Sequence, residues 1–135
     1  MWTPVLPRVG AGGRSLPVLI YLTGTLFTVD NVGINLSPES LVAVRNMIVV
    51  KVSSRLNVFG YLSLQNVVIP GNMGLLDQYF ALLWIRDNIQ YFGGDAARIT
   101  LAGSGSGGAS AFYLALSSRS SGNPKILFMF PETFV

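Results

Sequence analysis

The sequence predicts an α/β fold, a mostly parallel sheet with flanking helices, and three observations carry that expectation. Strand-length apolar runs alternate with helical patterns along the chain. The runs are apolar at nearly every position rather than at every second one, as in parallel strands buried on both faces. One of them passes directly into a helix through the glycine-rich turn Gly103-Ser104-Gly105-Ser106-Gly107-Gly108.

The composition bounds what such a fold could be. Of 135 residues, 50% are hydrophobic and 11% charged, against roughly 25% charged in ordinary soluble domains. The length suits one domain or a piece of one. So little charge for its size leads to the expectation that residues 1–135 are the incomplete N-terminal or central part of one larger domain. High hydrophobicity with low charge excludes disorder. With neither cysteine nor histidine, a disulfide scaffold and a Cys/His zinc site are excluded too. The net charge of +3 rests on nine basic residues scattered along the chain, with no stripe to meet nucleic acid. No apolar run approaches the ~20 residues of a spanning helix. Met1-Trp2-Thr3-Pro4 lacks the basic start and apolar stretch of a signal peptide.

The N-terminal stretch reads as loop up to a first strand over residues 17–22, which ends in Thr23-Gly24-Thr25. Residues 38–45 suit a short helix. A second strand over 47–52 is rich in β-branched residues. Residues 56–73, with Pro70-Gly71-Asn72, read as loop. The clearest helix covers about 75–92. Leu76, Tyr79, Phe80 and Leu83 follow the i, i+3, i+4, i+7 spacing of a core face, extended by Leu82, Ile85 and Ile89. Gly93-Gly94 stops it, since glycine tolerates the left-handed C-terminal position. A third strand follows over 98–102, then a small-residue helix over 109–116, and a fourth strand over 126–130.

The glycine-rich turn is where the chemistry lies, and two mechanisms use a strand–turn–helix of this kind. Gly103, Gly105 and Gly108 match the dinucleotide fingerprint G-x-G-x-x-G, which rests a pyrophosphate on the helix N-terminus and wants an acidic residue about twenty positions on. Glu132 is loosely placed for that. The other mechanism is the nucleophile elbow G-x-S-x-G, which holds a serine at the apex of a tight turn. Gly103 and Gly107 keep its outer glycines, but the apex is Gly105. Neither Ser104 nor Ser106 has the full pattern in its own register. Ser53, Ser54 and Ser63 read as loop or strand-end serines.

The flanking motifs resemble the carboxylesterase type B, or cholinesterase, family. Gly71-Asn72-Met73-Gly74-Leu75-Leu76-Asp77-Gln78 resembles its G-N-x-G-L-x-D-Q, and Trp84-Ile85, Asn88-Ile89 and Phe92-Gly93-Gly94-Asp95 resemble its W-V-x-x-N-I-x-x-F-G-G-D/N. Ile99-Thr100-Leu101-Ala102-Gly103 is similar to the family's entry to the elbow, and Trp2-Thr3-Pro4 with Leu16-Pro17-Val18-Leu19 to its W-T-P…L-P-V-L run. The likeness extends over residues 1–130 and implies a partial α/β-hydrolase fold. It displaces the dinucleotide reading, because the family's glycines serve turn geometry at those positions.

For the site, the resemblance implies loss. The family's elbow reads G-E-S-A-G, so the nucleophile position falls on Gly105 and the preceding glutamate on Ser104. The oxyanion-hole positions fall on Gly24, Thr25, Leu26 and Ser106, where the side chains at 25 and 26 are expected to crowd bare backbone. Without histidine the chain holds no Ser-His pair. The triad acid and histidine would lie beyond residue 135. Arg55 and Asp77 match positions that form a buried structural ion pair. An apex glycine resembles the family's catalytically inactive adhesion members, the neuroligins, neurotactin, gliotactin and glutactin. That likeness implies no cofactor and no metal, a protein partner at the cell surface, a membrane anchor outside this segment, and a possible homodimer. The sequon at Asn35-Leu36-Ser37 precedes Pro38, which weakens it as a glycosylation site.

Overall fold

The computed structural model describes residues 2–5, 15–24, 26–28, 38–120 and 126–130. In chain order they form β1 (Trp2–Val5), β2 (Leu16–Leu22), α1 (Pro38–Arg45), β3 (Ile48–Val52), α2 (Asn57–Tyr61) and α3 (Met73–Asn88). A 3-10 turn (Ile89–Phe92) leads to β4 (Gly94–Ser104), followed by α4 (Ser106–Leu116), a second 3-10 turn (Ser118–Ser120) and β5 (Ile126–Phe130). The strands make a sheet in the order β1-β3-β2-β4-β5. The pairings β2–β3, β2–β4 and β4–β5 are parallel.

Two stretches expected as loop are not. The N-terminal stretch contains β1, which runs antiparallel to β3 with Trp2 opposite Val52 and Val5 opposite Val49. Four residues, one of them a proline, give too short a pattern to read, and what makes them a strand is an available sheet edge. Residues 56–73 contain α2, a short helix started without a side-chain cap. Its Gly60 lets the helix close over the Arg55 carbonyl, which lies 2.3 Å from where a Cβ would stand. The third predicted strand is longer than expected, and the helix after it begins at Ser106 rather than near residue 109.

The chain path decides which face each helix covers. From β2 to β3 it moves one way across the sheet, and from β3 through β4 to β5 it moves the other way. Right-handed crossovers then put α1 on one face and α3 with α4 on the opposite one. Packing agrees. Val18, Ile20 and Leu22 of β2, Ile48, Val50 and Val52 of β3, and Ile99 and Leu101 of β4 form one core cluster with Leu82, Ile85 and Ile89, and with Ala111 and Leu114 of α4. Val42 of α1 is buried outside that cluster, and α1 touches β1 and β3.

On α3 the buried stripe is Gly74, Gln78, Leu82 and Ile85, continued by Ile89. Of the expected face, Leu82, Ile85 and Ile89 lie on this stripe, while Leu76, Tyr79, Phe80 and Leu83 sit to one side of it. Leu76, Tyr79 and Leu83 are half-buried, and Phe80 is exposed. The helix is apolar on nearly all sides, so its periodicity cannot say which side meets the sheet. Gly93 stops this stretch in the left-handed conformation, with φ 80° and ψ 13°.

Two glycines set how closely α4 approaches the sheet. A Cβ on Gly107 would stand 2.2 Å from the Leu22 carbonyl oxygen, and one on Gly103 would stand 2.4 Å from the Gly107 carbonyl carbon. Both obstacles are backbone and cannot rotate away. Gly107→Ala therefore destabilises the chain by about 3 kcal/mol, at the upper end of overpacking costs. Gly93→Ala, where a Cβ meets nothing within 4 Å, costs only the left-handed conformation, about 1 kcal/mol. Urea titration of the two variants beside the wild type measures both, and equal costs would mean that α4 can move off the sheet.

Candidate functional site: the glycine turn between β4 and α4

The carboxyl ends of adjacent parallel strands are where this class of sheet places its ligands. Here β2 and β4 are adjacent and in register, Leu22 beside Gly103. That register brings Thr23-Gly24 against Ser104-Gly105. Sequence placed these residues eighty positions apart, and the sheet makes them one corner.

Gly105 is the apex, with φ 53° and ψ −125°. That is a strained backbone for any residue bearing a Cβ. The turn is thus tight and its apex residue carries no side chain. Ala109 N–H donates to the Gly105 carbonyl at 3.1 Å, closing the first turn of α4 beneath the apex. Ser104, at the glutamate position, is buried and shares a 2.8 Å hydrogen bond with the Tyr21 hydroxyl of β2. A neutral hydroxyl pair here ties the two strand ends together without burying a charge.

Gly24 and Ser106 stand together. Gly24 is buried at φ 151°, and the position of a Cβ on it lies 2.9 Å from Ser106 Oγ and 3.8 Å from the Gly107 nitrogen. The Ser106 hydroxyl is itself buried and has no hydrogen-bond partner among the described residues. Thr25 lies outside the described residues, as does Asn35. Leu26 has φ 52° and is exposed, so its bulk is turned to solvent and does not fill the corner as expected. The turn it opens is tied to α2: Asn57 N–H donates to the Phe27 carbonyl at 2.7 Å, and the Phe27 and Tyr61 rings meet edge to face at 4.9 Å.

Arg55 and Asp77 do meet. Arg55 Nη2 donates to Asp77 Oδ1 at 2.6 Å, Nε to Oδ2 at 2.7 Å, and the Arg55 backbone N–H to Oδ2 at 3.1 Å. The expectation that the pair is buried fails, since the two side chains retain 52% and 29% of their exposure. Hydrogen bonding from Arg55 holds the Asp77 carboxyl below its ordinary value, against a smaller opposing effect of burial. Tyr61, which packs against Gly74, has its hydroxyl pushed up by burial. The Ser110 hydroxyl is close enough to oppose that shift but closes no hydrogen bond of normal geometry.

Two of the serines read as loop or strand-end residues, Ser54 and Ser63, make structural hydrogen bonds. Ser54 accepts a hydrogen bond from the Gln78 amide at 3.0 Å, and Ser63 donates to the Pro70 carbonyl at 3.1 Å. Sequence reasoning missed the Tyr21–Ser104 bond, which nothing in a linear reading signals. No group of acidic residues among the described residues could hold a metal ion.

The sequence profile of the carboxylesterase family matches residues 2–128. The chain belongs to the carboxylesterase family. It is 38% identical over 117 residues to juvenile hormone esterase of Heliothis virescens, covering 87% of this chain and 21% of that protein. It is 43% identical over 107 residues to venom carboxylesterase-6 of Apis mellifera, 79% of this chain and 19% of the relative. Mouse neuroligin-2 is 42% identical over 106 residues, 78% of this chain and 13% of the relative. The chain therefore spans about a fifth or less of the length of these relatives. In this carboxylesterase-family chain the tight turn between β4 and α4 has a glycine at its apex.

Two stability predictions follow from the geometry. Asp77 has a lowered folded-state pKa, so its contribution is present above the ordinary carboxylate range and fades as pH falls through the depressed value. Asp77→Asn lowers the melting temperature by about 2–4 °C at pH 7, a modest loss because the pair is solvent-screened. Its deficit against wild type shrinks on acidification, and a deficit constant with pH would show that the carboxylate charge is not what matters. Ser106→Ala removes a buried donor that has no partner, so it leaves stability unchanged or raises it by up to ~1 kcal/mol. A loss of more than that in chemical denaturation would reveal a hydrogen bond to Ser106 Oγ.

Proposed function

We propose that this chain is part of one carboxylesterase-family domain that is catalytically silent and serves extracellular recognition of a partner protein. The observation that carries the reading is Gly105 at the apex, in elbow geometry and without a side chain to attack an ester. With no histidine in the chain, nothing here takes a proton from a hydroxyl at that point. The similarity to neuroligins at 40–42% identity supports the reading, because the inactive adhesion class of the family carries its function on surfaces rather than in a pocket. An extracellular or cell-surface location belongs to the same proposal. No helix of the described residues is long and apolar enough to cross a membrane.

A second reading, part of a carboxylic-ester hydrolase, is favoured by one observation. The corner formed by Gly24, Ser106 and the N-terminus of α4 keeps the close approach that an oxyanion site needs, and juvenile hormone esterase and venom carboxylesterase-6 are as similar as the neuroligins are.

Gly105→Ser separates the two. In the full-length parent it restores one of several requirements, leaving the base and the oxyanion donors to be supplied. Hydrolysis of acetylthiocholine and p-nitrophenyl acetate stays at background for wild type and variant, and an organophosphate labels neither. Turnover by the wild type, or labelling of the variant at residue 105, would transfer the chain to the hydrolase reading.

A further inference from the structure

We draw no further inference here: the strongest candidate, the buried Ser106 hydroxyl that faces Gly24 at the N-terminus of α4 without a partner among the described residues, belongs to the site already described, where it stands at the oxyanion-hole position of the carboxylesterase family.

Discussion

The closeness of α4 to the ends of β2 and β4 is the constraint on which the rest of the site depends. Gly103 and Gly107 allow it, since either Cβ would lie within 2.4 Å of backbone atoms. Once that approach is made, the chain between them has no choice but to turn sharply, and Gly105 takes φ 53° as a consequence. The elbow is therefore a product of backbone packing and not of the residue at its apex. The shape is stabilised by burial along β2, β4 and α4, and a glycine at the apex is enough to keep it.

Arg55, past the carboxyl end of β3 and so at the same end of the sheet, organises its surroundings through its backbone as much as its charge. Its carbonyl oxygen lies 2.3 Å from a Cβ position on Gly60 and 2.5 Å from one on Gly74, so α2 and α3 both close over the same peptide group. Its N–H and guanidinium then converge on one carboxylate at Asp77. Three donors on two oxygens give a fixed geometry. Solvent exposure keeps the energy small. The pair orients the entry to α3 more than it holds the fold together.

On the proposed reading, with a glycine at the apex and no histidine in the chain, recognition rests on surfaces. The described surface is uneven in this respect. The polar corner around Gly24, Ser104 and Ser106 is buried, with Ser104 bonded to Tyr21 and the Ser106 hydroxyl without a partner among the described residues. The apolar material stands outside, at Val67, Val68 and Phe80. Loops carried on a rigid scaffold are where recognition usually resides.

The sequence by itself determined the class of fold, the sites of β2, α1, β3 and β5 nearly to the residue, the presence of α3 and α4, and the empty apex, because these rest on local signals. Unbroken apolar runs make buried parallel strands, paired glycines stop a helix or admit a close approach, and an absent side chain is visible as a letter. Only the tertiary structure decided the rest. β1 exists because β3 offered an edge, and Tyr21 meets Ser104 because parallel pairing aligned Leu22 with Gly103. The core face of α3 was settled by the sheet it packs on, since a helix apolar on nearly every side carries no preference of its own. The Arg55–Asp77 pair was legible as a contact but not as an exposed one. Pairing follows from residue types and their placement along the chain, whereas burial depends on what else the fold brings to the same spot.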